Sequence, residues 1–303
     1  MELKIGLKTS LMHVSYEDVR RVWQQADDMP EITDAWLWDH LLPLAGDRGG
    51  SAPEGWTMLS ALAAQTSRLR LGMLVTSNRL RPPALLGKMA STVDVISGGR
   101  LVMGLGVGGT VQPPDAGGVA GENPAVAEYA AYGIPLISPS EGIARLEETV
   151  TILRRMWTEE EFDYQGPFTT LVGTRNAPKP IQPTGPPVLI GAWGERALRV
   201  VAKHADMWNI PGPPHNPVAE VAARSRILDR LCVAAGRDPA EVERSVQVIV
   251  ADDGAAEARD TIAELTAIGV RHVVVGSRRL YRPDGMTWLL EEVVRPAYEA
   301  SMT

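Results

Sequence analysis

The segment Arg100–Gly109 reads R-L-V-M-G-L-G-V-G-G, so a short apolar run passes directly into a series of glycines. An apolar run of this length, bounded by turn residues, is typical of a β-strand buried on both faces. The glycines after it let the backbone approach a flat or charged ligand closely. If such strands are parallel, their carboxyl ends open onto one face, and that face becomes the candidate active site.

Strand-like segments of this kind alternate with helical patterns along the 303 residues. The strands are predicted at Leu3–Leu7, Ala35–Trp38, Leu69–Val75, Leu101–Leu105, Val188–Ile190, Met207–Asn209, Val246–Val250 and His272–Val275. The helices are predicted at Tyr16–Met29, Trp56–Thr66, Pro82–Ile96, Glu141–Trp157, Glu195–His204, Val218–Ala235, Ala255–Ile268 and Thr287–Ala300. Strict alternation predicts an α/β fold with parallel strands and right-handed crossovers, and this length favours a (β/α)8 TIM barrel. A doubly wound open sheet is the alternative, although it more often ends at about five or six strands.

The spacing is uneven after the fourth strand, where an insertion at about 109–186 precedes the fifth strand. Within it, Val111–Pro139 is rich in glycine, proline and alanine and has no clear period, whereas Glu161–Val172 predicts a hairpin around Gly166-Pro167. Long loops in compact domains are usually functional or mobile, so we expect a lid, at least partly mobile, on the catalytic face. The alternative is a surface decoration that serves a dimer. Residues 1–303 are expected to form a single domain.

Composition narrows the class of protein. The net charge is −7, which disfavours nucleic-acid binding because that role needs a clustered basic face. There is no apolar run long enough for a transmembrane helix, and the amino terminus lacks the layout of a signal peptide, so a cytoplasmic location is the default expectation. The single cysteine, Cys232, excludes an internal disulfide and is expected to be a packing residue. The five histidines are scattered without ligand spacing, so no metal site is predicted.

Asp39 and His40 directly follow the second predicted strand, in the stretch W-L-W-D-H-L. On a barrel they would lie at the rim of the active site, where an imidazole is well suited to moving protons near neutral pH. The alternative is that Asp39 caps a turn and His40 packs on its neighbours. After the third strand, Thr76–Arg81 offers hydroxyl, amide and guanidinium groups that suit a polar or anionic group.

The loop after the fifth strand places small residues before a helix. Backbone N–H groups at such a helix N-terminus, together with the helix dipole, can bind an anion. The residues concerned are Gly191, Ala192, Trp193, Gly194 and Glu195. Glu195 would oppose a phosphate unless its side chain turns away, and an ordinary capped turn is the alternative.

Tryptophans crowd near the predicted strand ends, and the chain has eight of them against two phenylalanines. An aromatic wall suits a flat heterocycle or an apolar substrate. We expect Trp38, Trp56 and Trp193 in the cavity, and Trp36 and Trp208 in the core. Since no strong nucleophile motif occurs, a cofactor is expected to carry the difficult chemical step.

The order of these motifs resembles the bacterial luciferase-like superfamily of flavin- and deazaflavin-dependent oxidoreductases. The matching stretches are W-L-W-D-H-L (36–41), R-L-R-L-G-M-L-V-T (68–76), P-P-A-L-L-G-K-M-A-S-T-V-D-V-I-S-G-G-R-L-V-M-G-L-G-V-G (82–108), E-Y-A-A-Y-G-I-P (128–135), R-L-E-E-T-V-T-I-L-R-R-M-W (145–157) and P-P-V-L-I-G-A-W-G-E-R-A-L-R-V-V-A-K-H-A-D-M-W-N (186–209). The resemblance implies a TIM barrel that binds FMN or coenzyme F420 at the carboxyl ends of its strands.

The resemblance also implies residue roles. Asp39 and His40 match the pair beside the cofactor ring, and Gly191–Glu195 matches the phosphate-binding loop. The segment Leu74, Val75 and Thr76 matches the place where the family often has a non-prolyl cis peptide behind the ring. Gly106, Val107 and Gly108 match the turn that approaches the cofactor's side chain.

Two departures bear on the substrate. The deazaflavin-dependent sugar-phosphate dehydrogenases of this superfamily have an acidic residue after the glycine turn, where this chain has Gly109-Thr110-Val111. They also carry an aromatic residue shortly after the histidine, where this chain has Leu42 to Leu44. A sugar phosphate is therefore disfavoured, and a small apolar or alicyclic substrate is expected.

The resulting hypothesis is an F420-dependent oxidoreductase in which His40, oriented by Asp39, donates or accepts a proton. An FMN-dependent monooxygenase that uses O2 and a separate reductase is the first alternative. A non-catalytic flavin- or deazaflavin-binding protein is the second. Members of the family are commonly dimers, so a homodimer is expected.

Overall fold

The computed structural model describes residues 2–110 and 124–301. In this part of the chain the strands are β1 (Lys4–Lys8), β2 (Ile32–Leu37), β3 (Arg70–Met73), β4 (Thr76–Ser77), β5 (Leu101–Gly106), β6 (Phe162–Gln165), β7 (Thr170–Thr174), β8 (Val188–Gly191), β9 (Met207–Ile210), β10 (Glu243–Ile249) and β11 (His272–Gly276). The helices are α1 (Tyr16–Asp27), α2 (Gly55–Ala63), α3 (Pro83–Ser97), α4 (Pro124–Ala131), α5 (Pro139–Thr158), α6 (Glu195–His204), α7 (Val218–Ala234), α8 (Ala255–Ala267), α9 (Gly285–Leu289) and α10 (Arg295–Ser301).

Eight parallel strands among the described residues close into a barrel in the order β1, β2, β3, β5, β8, β9, β10 and β11. The ring closes because β1 pairs with both β2 and β11. The predicted (β/α)8 TIM barrel is therefore confirmed. The third predicted strand is interrupted after Met73, where the Leu74–Val75 peptide bond is cis, and the chain resumes pairing with β5 as β4. The resemblance implied a cis bond at this place.

The interior of the barrel is packed around Trp36. A Cβ atom at Gly72 would lie 2.8 Å from the Trp36 ring, and one at Gly6 would lie 1.9 Å from Asp34 Oδ1. Glycine at both positions therefore leaves room for the indole. Leu74, Val102, Leu189, Met207 and Val274 complete this apolar cluster. Trp36 and Trp208 are buried, as expected, and so is Cys232.

The loops between strands and helices are held by local caps. Ser15 accepts a hydrogen bond from the backbone N–H of Asp18 and so caps the start of α1. Helix α3 begins after Pro82 and ends at Gly98, whose left-handed φ of 68° closes the helix and returns the chain to β5. Because β3 and β5 are parallel, the residues that follow them lie at the same end of the barrel.

The insertion after β5 contains α4, α5 and the hairpin β6–β7. The hairpin was predicted, whereas α4 was not, because its sequence lies in the glycine- and proline-rich stretch without a clear period. Helix α4 sits at the carboxyl ends of the strands and brings Glu128 and Tyr129 there. Residues 111–123 of the predicted lid lie outside the described residues.

The last predicted helix is divided. Helix α9 continues through a π-helical turn at Leu290–Val294 into α10. No helix within residues 2–110 or 124–301 combines the length and the apolar character needed to cross a membrane.

Candidate active site

Two adjoining cavities open at the carboxyl ends of the barrel strands. The first, here called the glycine-loop cavity, has a volume of about 690 Å³ and is lined by the loops after β5 and β8. The second, the histidine cavity, has a volume of about 560 Å³ and is lined by residues that include Trp38, Asp39 and His40. The two share Val75, Gly108, Thr110, Pro211 and Gln247 as lining residues. The sequence-predicted strand ends are thus brought together around one composite space.

Val75 forms the border between the cavities, and glycines make room for it. A Cβ atom at Gly106 would lie 2.5 Å from Val75 Cγ2, and one at Gly191 would lie 3.2 Å from Val75 Cγ1. A side chain at either position would crowd Val75, so glycine at both positions leaves the space in which the Val75 side chain lies. The predicted residues Leu74, Val75, Gly106, Val107 and Gly108 all line this space.

Asp39 is buried and paired with an arginine. Its two oxygens accept hydrogen bonds from Arg81 Nη1 at 2.7 Å and Nη2 at 3.0 Å, and the backbone N–H of Ser77 donates to it at 3.0 Å. Burial raises the pKa of Asp39, and the contact with Arg81 opposes that rise. Arg81 also pairs with Glu54, the cap of α2. Asp39 therefore ties β2 to the loop after β4.

The partner of His40 is Glu128 of α4, which corrects the expectation that Asp39 orients this ring. Glu128 Oε2 lies 3.1 Å from His40 Nδ1. The other oxygen of Glu128 accepts hydrogen bonds from the backbone N–H groups of Leu41 and Leu42. Burial tends to raise the pKa of Glu128, but the contacts with His40 and these N–H groups outweigh it and leave the pKa lowered. Because Nδ1 faces the Glu128 carboxylate, Nε2 points away from that carboxylate.

Tyr129, the residue after Glu128, joins α4 to the glycine turn. Its hydroxyl lies 2.5 Å from Ser77 Oγ and accepts a hydrogen bond from the backbone N–H of Gly109 at 2.8 Å. Burial raises the pKa of this phenol, so it stays protonated and can donate to Ser77. The contacts of Glu128 and Tyr129 place α4 against the predicted site. Both residues occur in the stretch 128–135 that matched the family, but no role was assigned to them there.

The loop Gly191–Glu195 leads into α6 and leaves its N-terminus open. Gly194 is the N-cap residue, and no side chain caps the helix there. Glu195 lines the cavity, and its carboxylate lies 2.8 Å from Arg199 Nη2 in the next helical turn. The free N–H groups and the helix dipole therefore suit an anion in the glycine-loop cavity.

Two of the three predicted cavity tryptophans line the site. Trp38 borders the histidine cavity and contacts His40 edge-on, with the ring centres 5.2 Å apart. Trp193 borders the glycine-loop cavity. Trp56 was predicted wrongly: it lies at the start of α2, is 1% exposed and packs in the core between helices and barrel. Thr76 is likewise fully buried and lies behind the cavity lining, although the resemblance placed it at the cofactor.

A hydrogen-bond chain inside the barrel was not foreseen from the sequence. It comprises Lys8, Gln247, Asn209, Ser245, His272 and Asp34, which lie on strands β1, β10, β9, β10, β11 and β2. Neighbouring members lie between 2.6 Å and 3.0 Å apart. Lys8 and Gln247 border the histidine cavity, and Asp34 borders a cavity at the opposite end of the barrel. The signal that could have found Lys8 is a charged residue directly after the first predicted strand.

The arrangement fits a planar cofactor with an anionic tail. The glycines beside Val75 let its side chain lie at the border of two adjoining cavities, and the open end of α6 offers N–H donors to a phosphate. Among the described residues, no group of three or more His, Cys, Asp or Glu side chains is arranged to hold a metal ion.

Comparisons with known proteins agree with this reading of the fold. The family model for luciferase-like monooxygenases matches residues 7–292. Over 204 residues the chain is 29% identical to the F420-dependent glucose-6-phosphate dehydrogenase of Amycolatopsis mediterranei (strain U-32). This match covers 67% of this chain and 54% of that relative.

Two solved structures share the whole fold. An F420-dependent secondary alcohol dehydrogenase in complex with an F420–acetone adduct superposes with a TM-score of 0.79 at 16% identity, covering 98% of this chain and 99% of the other. A monooxygenase from Streptomyces bottropensis superposes with a TM-score of 0.72 at 20% identity, covering 97% and 99%. At these identities both structures establish the architecture alone.

Proposed function

Because the chain belongs to the luciferase-like monooxygenase family, we propose that it is an oxidoreductase that uses coenzyme F420 on a small, largely apolar or alicyclic organic substrate. The observation that carries the proposal is the position of His40. Its ring is held by Glu128 and faces the same cavity as Val75, next to the glycine loops. The F420 dependence of the Amycolatopsis relative and of the alcohol dehydrogenase supports the choice of cofactor.

The cofactor-binding residues follow from the two cavities. Gly191–Glu195 and the N-terminus of α6 would hold the phosphate, and Gly106–Gly108 would pass beside the side chain of the cofactor. Leu74 and Val75 would lie behind the ring, with Asp39 fixing the β2 loop through Arg81. When bound there, the deazaflavin ring supplies an acceptor or donor for a hydride.

His40 handles the proton that accompanies the hydride. Oxidation of an alcohol breaks a C–H bond, whose electron pair leaves with the hydride, and an O–H bond, whose proton passes to His40 Nε2. Reduction of a carbonyl runs the same transfers in reverse. The Glu128 carboxylate at Nδ1 stabilises the imidazolium that forms and keeps Nε2 directed away from α4.

The walls of the histidine cavity position the substrate. Trp38, Leu74 and Val75 offer apolar surface, which favours a compact apolar body and limits the water near the reacting atoms. Holding the reacting groups close and aligned can lower the barrier by about 7 kcal/mol or more. The chain thus supplies binding, orientation and one proton-transfer group.

The second candidate is an FMN-dependent monooxygenase. The description of the matching family and the likeness of fold to the Streptomyces bottropensis enzyme favour it. The same glycine loops would then hold the phosphate of FMN. A binding protein without turnover is the third candidate, in which the cavities hold a cofactor but His40 has no proton to transfer.

Cofactor binding separates the first two candidates. The purified protein is titrated with F420 and, separately, with FMN, and the quenching of ligand fluorescence is recorded. We expect a dissociation constant for F420 in the micromolar range or below, and weaker binding of FMN. Submicromolar binding of FMN without binding of F420 would overturn the proposal in favour of the monooxygenase.

Turnover tests the role of His40. The F420-loaded protein is assayed with a panel of ketones, enones and secondary alcohols by the change in deazaflavin absorbance. His40→Ala should lower kcat by about 100-fold or more while leaving F420 binding within about twofold, since proton transfer by a positioned side chain contributes about that much. His204→Ala, on the outer face of the barrel beside Glu147, is the matched control and should keep full turnover. Full turnover in His40→Ala would refute the proton-transfer role, and no turnover on any substrate would favour the third candidate.

A further inference from the structure

Lys8 is the last residue of β1 and borders the histidine cavity. Its Nζ donates a hydrogen bond of 2.6 Å to Gln247 Oε1 and lies 5.6 Å from the centre of the Trp38 ring. Trp38 contacts His40 with ring centres 5.2 Å apart. Lys8 and His40 therefore both approach the same indole within one cavity.

The carboxylates of this cavity already have donors of their own. Asp39 is held by Arg81 and by the backbone of Ser77, and Glu128 is held by His40 and two backbone N–H groups. In residues 2–110 and 124–301, no carboxylate forms an ion pair with Lys8. The ammonium group thus faces the cavity with a neutral amide oxygen as its hydrogen-bond partner.

Partial burial makes this position costly for an unpaired cation. Removal from water lowers the pKa of Lys8 to about 8, and this value still leaves most of the side chain protonated at pH 7. A buried charge without a counter-ion destabilises the protein, and an anion that binds beside it recovers part of that cost.

The hydrogen-bond chain fixes the orientation of the amide that Lys8 contacts. Gln247 Nε2 donates to Asn209 Oδ1 at 2.7 Å, so Gln247 Oε1 must face Lys8. Asn209 Nδ2 in turn donates to Ser245 Oγ at 2.8 Å, which fixes the orientation of Asn209. The ammonium group is therefore positioned at the cavity by a defined set of partners.

We propose that Lys8 binds a carboxylate of the substrate, so that the substrate is a small hydroxy or oxo acid with its reacting carbon towards His40. This rests on the proposed function and names the substrate class more closely. A single ammonium group matches a monoanion, whereas a phosphate group usually recruits several cations or an arginine fork. The apolar body of the acid would lie against Trp38.

The test uses two probes of the same shape and different charge, cyclohexanecarboxylate and cyclohexanecarboxamide. Calorimetric titration at pH 7 is carried out on the protein with and without F420. We expect the carboxylate to bind about tenfold more tightly than the amide, a difference of about 1.4 kcal/mol. Lys8→Met should abolish the preference, and Lys8→Arg should retain it because the charge is kept.

Lys4→Met is the matched control, because Lys4 lies on the same strand at the opposite end of the barrel and pairs with Glu243 at 2.7 Å. It should keep the preference of the natural chain. Equal binding of the two probes by the natural chain, or a preference that persists in Lys8→Met, would overturn the proposal. So would a loss of F420 affinity in Lys8→Met, because Lys8 would then serve the cofactor. Failure of the proposed function is seen separately, as absence of F420 binding to the natural chain.

Discussion

His40 depends on a residue that lies 88 positions further along the chain. The Glu128 carboxylate has 1% exposure, and its Oε1 accepts hydrogen bonds from two backbone N–H groups, which hold Oε2 in position beside the imidazole. A fixed carboxylate selects one ring orientation and one tautomer of the histidine. The ring orientation and the tautomer of His40 are therefore set by a residue of the insertion and not by β2, the strand that precedes His40.

Replacing Glu128 by glutamine tests this dependence. Glu128→Gln keeps the size of the side chain but removes the charge that stabilises an imidazolium. We expect kcat to fall by about 10-fold to 100-fold, since a hydrogen bond to a charged group contributes about 1.5–3 kcal/mol. F420 affinity should stay unchanged. The measurement is steady-state turnover. The control is Glu141→Gln, because Glu141 is a surface residue of α5 that pairs with Arg145. Equal kcat values for the two variants would contradict the role of Glu128.

The sequence identified Asp39 and His40 but not their partners. A polar pair directly after a strand is visible locally, because strand ends on a barrel converge on one face. Arg81 and Glu128 reach the pair through tertiary contacts that no spacing in the sequence reports. The guanidinium groups of Thr76–Arg81 were expected to bind an anion, and Arg81 does so, but the anion is Asp39 of the protein itself.

At the scale of elements, the N-terminus of α6 is left without a side-chain cap. Uncapped N–H groups are a cost to the folded protein unless a ligand or water satisfies them. An aspartate at the N-cap position would satisfy them internally and would place a negative charge where the phosphate is expected to bind.

Gly194→Asp should therefore have opposite effects on stability and on binding. We expect the cofactor-free protein to become more stable by roughly a few tenths of a kcal/mol, because aspartate is a slightly better N-cap residue than glycine. F420 affinity should fall by about tenfold or more through repulsion of its phosphate. Thermal unfolding and fluorescence titration measure the two effects. Gly194→Ala is the control, because a Cβ there meets no atom within 4 Å. Unchanged F420 affinity in Gly194→Asp would show that the phosphate binds elsewhere.

Regular elements were predictable where their pattern is strong. The barrel strands are short apolar runs bounded by glycine and proline, and the hairpin β6–β7 surrounds Gly166-Pro167, so both were found. Helix α4 was missed because its sequence, P-A-V-A-E-Y-A-A, is apolar almost throughout, shows no helical period and lies within a segment rich in breakers. Trp56 was misplaced because α2 is buried along much of its length, so its large side chain faces the core and not the cavity.

Across the whole molecule, the hydrogen-bond chain spans the barrel from Lys8 to Asp34. Asp34 is 4% exposed and lies within 3.0 Å of His272 Nε2. Burial tends to raise the pKa of Asp34, but His272, Thr33 and Trp36 outweigh it and leave the pKa lowered. The carboxylate is thus more acidic in the folded protein than in the unfolded chain.

This shift predicts how stability depends on pH. The ionised carboxylate contributes stability above its unfolded pKa of about 3.9, and that contribution is lost as the pH falls through the lower folded pKa. Asp34→Asn should reduce the free energy of unfolding at pH 7 by about 3 kcal/mol, the usual cost of breaking a buried pair. It should also flatten the decline in stability below about pH 5. Urea unfolding between pH 7 and pH 3 measures both. Asp206→Asn, which removes a partly exposed partner of Arg154, is the control. A decline in Asp34→Asn as steep as in the natural chain would contradict this account.

The closed barrel could be predicted because alternation along the chain and the handedness of crossovers leave few topologies. The hydrogen-bond chain inside the barrel could not be predicted, because in the sequence each of its residues is an isolated polar residue within its own strand. Only closure of the ring, through the pairing of β1 with β11, brings Lys8 within reach of Gln247 on β10.

Helix α4 brings Glu128 and Tyr129 from outside the ring of strands, whereas the proposed phosphate loop is part of the ring itself. The residues proposed to tune proton transfer and those proposed to hold the coenzyme therefore lie on separate segments of the chain. Transplanting the insertion of another family member into this scaffold would replace the partner of His40 while leaving His40 and the proposed phosphate loop in place. Within such a family, the environment of the histidine would then change through replacement of one loop rather than redesign of the whole fold.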